Sequence, residues 1–147
     1  MSDHKVSEIA DLLLDILPLL RNKLISPSEA VKDTKLNPTQ FFILLTLNDH
    51  GKRPTTELGK KLSILKSNVS PLINGLLEQG YVERSHSEKD RRVIYIDITQ
   101  KGRDFVKDRK QKMQEKVRNE LTFLEEDDRN KLEEAVHVVH TMLSKME

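Results

Sequence analysis

Between Lys66 and Gly80 the apolar residues Val69, Leu72, Ile73, Leu76 and Leu77 recur at i, i+3, i+4, i+7 and i+8, leaving Ser67, Asn68, Ser70, Pro71, Asn74 and Glu78 outside that set. That spacing places the apolar side chains on one face of a helix and leaves its outer face polar. Just before it, Pro54-Thr55-Thr56-Glu57 starts a shorter helix carrying Leu58 and Leu62, and Ser63 to Leu65 forms a turn. Gly80 is a helix stop signal, after which the period changes. Tyr81-Val82-Glu83-Arg84 reads as a short strand, and Val93 to Ile98 alternates, with Ile94, Ile96 and Ile98 on one side and Tyr95 and Asp97 on the other. Helix, short turn and helix with a polar outer face is the helix-turn-helix arrangement. The polar run Ser85 to Arg92, joining two strands directly after it, makes a β-hairpin wing.

The flanking segments are helical. Asn37-Pro38-Thr39-Gln40 is a compact helix start: Asn37 caps, Pro38 suits the first helical position, and Gln40 returns a hydrogen bond. The helix it opens carries Phe41, Phe42, Leu44, Leu45 and Leu47 and ends at Asn48-Asp49-His50-Gly51, so it should be the central buried helix. Val6 to about Leu24 places Ile9, Leu12, Leu13, Ile16, Leu17 and Leu20 at helical spacing, and Pro18 within it predicts a kink or break, at a cost of about 3 kcal/mol. Ser26 to Leu36 reads as a linker or irregular turn. Thr99 can cap a long charged helix running to about Leu121, with Phe105, Val106, Met113, Val117 and Leu121 as its thin apolar stripe. A last helix spans about Glu125 to Met146.

The expected fold is therefore mainly α with a small antiparallel β-hairpin, an α+β arrangement. A winged helix-turn-helix occupies residues 36–98, an N-terminal dimerisation helix and linker residues 1–35, and C-terminal dimerisation helices residues 99–147. The terminal helices carry more apolar surface than one small lobe can cover, which favours a second copy of the chain over an ordinary intrachain core. Leu13, Leu17, Leu20, Leu132, Val136, Val139 and Leu143 are the expected interface.

Composition narrows the function. A chain of 147 residues is one domain, or one domain with helical extensions. Zero cysteines exclude a disulfide scaffold, a thiolate metal cage, a catalytic thiol and a cysteine redox sensor. The longest apolar stretch, Leu12 to Leu20, is interrupted by Asp15 and Pro18 and falls short of the roughly 20 residues a spanning helix needs. Asp3 and Glu8 stand where a secretory signal wants a basic start, so a soluble, unexported, cytoplasmic protein with no membrane partner is expected. The formal charge of +1 is unevenly spread: residues 50–105 carry 11 basic and 7 acidic side chains, whereas both flanks are net acidic. A basic middle points modestly to a polyanion, the alternative being an ordinary solvated surface.

Taken together, several segments carry a family likeness. Leu36-Asn37-Pro38-Thr39-Gln40-Phe41, Glu57-Leu58-Gly59-Lys60-Lys61-Leu62, Lys66-Ser67-Asn68-Val69-Ser70, Leu77 to Arg84, Asp90-Arg91-Arg92 and Ile98-Thr99-Gln100-Lys101-Gly102, in that order, resemble the MarR family of bacterial transcription regulators. The most specific piece is the wing ending Asp90-Arg91-Arg92, followed by a hydrophobic strand and Thr99-x-x-Gly102. The resemblance implies a homodimer whose two winged lobes straddle a pseudo-palindromic operator on double-stranded DNA. It further implies a role that is usually repression, often relieved by a small-molecule effector in a cleft where the dimerisation helices meet the winged lobe. Two departures stand out: Pro71 replaces a residue that is basic in many relatives, and the recognition segment lacks arginine.

Residue roles follow. Lys66, Ser67, Asn68, Ser70 and Asn74 are candidates to reach base edges from a helix in the major groove, although Ser67 and Asn68 could instead merely cap it. The helix start stays open: with Ser67 as cap Pro71 is the fourth position, and with Ser70 as cap it is the first. Asn68 or Asn74 suits adenine and Pro71 a thymine methyl, so an A/T-leaning operator is expected in the absence of arginine on this face. By family analogy Arg92 enters the minor groove, Arg91 meets phosphate and Asp90 orients an arginine, with Lys89 beside them; the alternative is a solvated loop with a surface ion pair.

Other chemistry is weakly supported. His137 and His140 lie three apart on the last helix, a spacing compatible with a metal-sensing regulator, but no third ligand joins them and surface or interface histidines fit better. His50 and His86 read as solvated. Ser85-His86-Ser87 and Asp90 offer triad residue types on one hairpin without an oxyanion-hole motif, and there is no Gly-rich phosphate loop, so no enzyme and no cofactor are expected. A winged-helix module that binds a partner protein through the same polar faces is the competing class.

Overall fold

In the computed structural model, which describes residues 2–24 and 26–146, the central element is the helix that Asn37 opens. The elements in chain order are α1 (Asp3–Lys23), α2 (Pro27–Ala30), α3 (Pro38–His50), β1 (Arg53–Pro54), α4 (Thr55–Lys61), α5 (Lys66–Glu78), β2 (Val82–His86), β3 (Ile94–Ile98), α6 (Gln100–Leu121) and α7 (Glu126–Ser144). The start of α3 is a complete capping box: Asn37 Oδ1 accepts from the Gln40 N–H at 2.9 Å, and Gln40 Oε1 accepts from the Asn37 N–H at 2.9 Å. The Gln40 amide then donates to the Leu72 carbonyl at 3.1 Å, tying the start of α3 to the middle of α5. Phe41, Ile43, Leu44 and Leu47 of α3 are almost wholly buried, and around them pack Leu58, Val69, Ile73, Leu76, Val82, Ile96, Ile98 and Val106.

Both helices of the helix-turn-helix end in the same way. At the end of α5 the Tyr81 N–H donates to the Leu76 carbonyl and the Gly80 N–H to that of Leu77, with Gly80 left-handed at φ 77°. At the end of α4 the Ile64 N–H donates to the Gly59 carbonyl and the Ser63 N–H to that of Lys60, with Ser63 left-handed at φ 54°. These are Schellman turns, and Ser63 occupies a position that glycine fills at lower cost. Gly59, inside α4, meets α5 closely: a methyl there would come within 3.0 Å of the Val69 side chain.

The sheet departs from expectation by one strand. β2 and β3 pair as the expected antiparallel hairpin, Val82 opposite Ile98 and His86 opposite Ile94, and β1 adds a third strand on the far edge of β3 in the order β1-β3-β2. Arg53 stands opposite Ile96 and Pro54 opposite Tyr95. Two residues have no readable period, and Pro54 is tolerated because β1 is an edge. β2 also extends to His86, so Ser85 and His86 belong to the strand and the connecting loop is shorter than the eight polar residues expected.

Two other expectations are corrected. The helix α1 continues through Pro18, so the expected break does not occur, and Leu14, whose carbonyl loses its helical donor, is an exposed residue. The stretch after it is more than a linker, since it holds the single turn α2 and buries Ala30, Val31 and Leu36 in the core. The chain divides into two compact units, one spanning Ser26–Met113 with the whole buried core, the other containing α1 and the chain from Gln114 onward. No described helix is long and apolar enough to cross a membrane.

Candidate nucleic-acid interface

The outward face of α5 follows from what its inner face buries. Val69, Ile73 and Leu76 point into the core, which turns Lys66, Ser67, Asn68, Ser70, Pro71 and Asn74 to the exposed side. The helix starts at Lys66, before either start considered from the sequence, with Leu65 as its N-cap residue and no side-chain capping bond. Pro71 is thus the sixth helical residue, and it leaves the Ser67 carbonyl without a helical donor. Capping by Ser67 or Asn68 therefore does not occur. Among the described residues the side chains of Lys66, Ser67, Asn68 and Ser70 make no hydrogen bond or ion pair.

Asn74 differs from Asn68. Its Oδ1 accepts from Arg84 Nη2 at 3.3 Å, across from α5 to β2. The recognition segment lacks arginine in sequence, but the fold brings one to the C-terminal end of its exposed face. The premise that no guanidinium stands beside this face is corrected accordingly. Nothing in the local pattern of β2 marks Arg84, because the contact depends on how α5 and β2 pack.

The wing is organised by its own polar side chains. Ser87 Oγ accepts from the N–H groups of Lys89 and Asp90, and the Ser87 N–H donates to the Val93 carbonyl at 3.0 Å. Asp90 grips Arg92 with three bonds: Oδ1 accepts from the Arg92 backbone N–H at 3.0 Å and from its Nε at 3.2 Å, and Oδ2 accepts from its Nη2 at 3.3 Å. The hydrogen bonds from the Arg92 side chain, then from its backbone, hold the Asp90 carboxyl below its ordinary range, so it is ionised at neutral pH. The Arg92 side chain is nonetheless 92% exposed. Its guanidinium is aimed but accessible. Lys89 and Arg91 are also exposed, and the Arg91 carbonyl lies 3.0 Å from His86 Nδ1. Of the triad residue types on this hairpin, Ser87 Oγ holds the loop backbone, Asp90 holds Arg92, and His86 Nδ1 faces the Arg91 carbonyl.

A latch fixes the wing's base to the end of α5. Thr99 Oγ1 donates to the Gly80 carbonyl at 2.6 Å and accepts from the Gly102 N–H at 3.2 Å, capping α6. The Thr99 N–H donates to the Tyr81 carbonyl at 3.0 Å, and the Lys101 ammonium lies 4.9 Å from the Tyr81 ring centre. Tyr81 in turn rests on Phe105, ring centres 4.9 Å apart, and Phe105 meets Phe41 edge-on. The end of α5, the wing and the start of α6 thus share one anchor in the core.

The terminal helices look different. Neither α1 nor α7 buries a single described residue. Leu13, Leu17 and Leu20 on α1, and Leu132, Val136, Val139 and Leu143 on α7, are all exposed. His137 and His140 are exposed on α7, and no group of three or more His, Asp or Glu suited to a metal gathers among the described residues.

A three-helix core, a helix-turn-helix with a free polar face and a three-stranded wing define a winged helix-turn-helix protein. The MarR family model matches residues 36–94. The chain is 30% identical to a MepR-like protein whose crystal structure is complexed with pseudoligands, covering 97% of each chain with a TM-score of 0.55. It is 27% identical over 94 residues to the HTH-type transcriptional repressor MdtR of Bacillus subtilis (strain 168), covering 64% of this chain and 61% of that one. In fold it is similar to RV1404 from Mycobacterium tuberculosis, with a TM-score of 0.81, 21% identity and 97% of each chain covered. This chain belongs to the MarR family. It spans between about half and two thirds of the length of three of the curated relatives it matches.

Proposed function

We propose that this chain is a cytoplasmic transcriptional repressor that binds a pseudo-palindromic operator in double-stranded DNA as a homodimer. The observation that carries the reading is the pairing of two exposed elements on one anchor. These are a recognition helix whose Ser67, Asn68 and Ser70 side chains have no hydrogen-bond partner among the described residues, and a wing whose Arg92 is held at its tip by Asp90. In a major groove, Asn68 suits adenine and Pro71 a thymine methyl, while Arg84, beside Asn74, adds a guanidinium that suits a guanine at the end of the contact. Lys66, Lys89 and Arg91 meet phosphates, and Arg92 enters the minor groove of an A/T-rich flank.

Homodimerisation is supported by the two terminal helices, on which no described residue is fully buried within one chain; a helix in water needs a packed face to persist. Two copies present two recognition helices to half-sites about 34–36 Å apart, one turn of DNA. The similar MdtR protein is a transcriptional repressor, and the similar MepR-like structure holds pseudoligands, which supports repression relieved by a small molecule.

The test is a titration of the full-length protein on a duplex that it has itself selected from a random library, at several salt concentrations. Six or more phosphate contacts from two lobes make affinity fall by about a thousandfold between roughly 50 and 200 mM salt. Arg92→Ala should weaken binding at least tenfold with the dimer intact. An affinity indifferent to salt would instead favour a protein-binding module, and unchanged binding by Arg92→Ala would remove the wing from the mechanism.

A further inference from the structure

We infer that Leu65 is a specificity-determining residue that reads the 5-methyl group of thymine in the operator, an inference that rests on the DNA-binding reading above. Within the compact unit Ser26–Met113 only two large apolar side chains are exposed, Phe42 at 43% and Leu65 at 71%. Leu65 is also the N-cap of the recognition helix, with φ −56° and ψ 135° and no side-chain capping bond. That position is where Ser, Thr, Asp or Asn stabilises a helix, and Leu contributes no acceptor. Its backbone does what the turn requires, its carbonyl accepting from the Asn68 N–H at 2.8 Å. Neither capping nor packing accounts for the side chain.

Its neighbours indicate what does. Leu65, Asn68 and Pro71, at i, i+3 and i+6, line one open groove along α5, whereas Lys66 and Ser70 line another on its opposite flank. Along α5 the first groove thus carries the Asn68 carboxamide with the apolar Leu65 before it and Pro71 after it, and Thr39 and Ser63 also line it. An A·T pair offers the matching surface in the major groove: adenine N6 and N7 suit a carboxamide, and the thymine methyl is the one apolar group on any base edge there. Lys60, Lys61 and Lys66 are exposed at the end of α4 and the start of α5, Lys60 and Lys66 on the other groove, and their positive charge beside this helix start favours a polyanion as the ligand.

The experiment uses the full-length protein and the duplex it selects, with each half-site thymine replaced in turn by deoxyuridine. That change removes the methyl and leaves the pairing and the O4 acceptor intact. At one thymine per half-site the wild type is expected to lose roughly three- to tenfold in affinity. Leu65→Ala should lose at least threefold on the thymine duplex and bind both duplexes equally. Leu65→Ser should lose the same discrimination while its Tm rises by about 2–4 °C, because the helix gains a cap, which separates lost readout from lost folding. A wild type indifferent to every replacement, or a Leu65→Ala variant that keeps the wild-type thymine-to-deoxyuridine ratio at every position, overturns the inference while leaving DNA binding standing. If the wild type selects no duplex at all, the DNA-binding reading itself fails and takes this inference with it.

Discussion

Leu17→Asp is expected to leave a folded monomer that binds the selected operator at least a hundredfold more weakly than the wild type. Leu17 is 61% exposed in the single chain, on a helix of 21 residues with no buried member, so the substitution removes nothing from the core of the winged lobe. In a two-fold assembly the same change appears on both copies. Each buried carboxylate without a partner costs about 3–5 kcal/mol. The dimer is lost first, and with it the gain from holding two half-sites at once, since a single lobe has no partner to raise its effective concentration at the second site. Sedimentation velocity reads the assembly and fluorescence anisotropy the affinity. A variant that stays dimeric would place the contact between copies elsewhere on the chain.

Gly102→Ala is expected to destabilise the protein by about 2–3 kcal/mol and to lower its Tm by about 5–10 °C. The position demands glycine for space. A methyl there would run into the Tyr81 carbonyl oxygen and come within 2.6 Å of Ile98 Cγ1. Neither neighbour can yield cheaply: Tyr81 closes the Schellman turn of α5 and its carbonyl also accepts from the Thr99 N–H, while Ile98 is a buried β3 residue opposite Val82. The strain therefore falls on the end of the recognition helix and the base of the wing together, and operator affinity should drop along with stability. Thermal unfolding followed by circular dichroism checks the first effect; a Tm within a degree of the wild type would mean that the latch has slack.

The elements that were legible in the sequence are those specified by neighbours in the chain. Asn37, Pro38 and Gln40 announce the start of α3 because all three capping partners lie within one turn. The buried stripe of α5 and the alternation of β3 are likewise local periods, and Gly80 stops α5 through its own backbone freedom. What depends on distant partners was not legible. β1 is a strand only because β3 lies beside it, and Ala30, Val31 and Leu36 are buried only because the lobe closes over them. Arg84 reaches Asn74 through the packing of β2 on α5, and Leu65 becomes conspicuous only once its exposure can be set against the N-cap it occupies. Pro18 does not end α1, and the residues of that turn, Leu14 and Leu17 included, are exposed rather than sealed in the core.

In the candidate interface, the residue types can be read from the sequence, whereas their pairing depends on the fold. Asp90 and Arg92 are two apart, and a carboxylate next to guanidinium groups has an obvious use, but which arginine it holds is decided by the turn that Ser87 nucleates. The free state of Asn68 and the engaged state of Asn74 could not be separated by composition or spacing, because both lie on the same exposed face.

Native mass spectrometry of the protein with its selected duplex tests the central claim most directly. Two chains per duplex, together with protection of two stretches of groove centred about one helical turn apart, is the expected result. One chain per duplex, or free chains beside free duplex at every ratio, would contradict it.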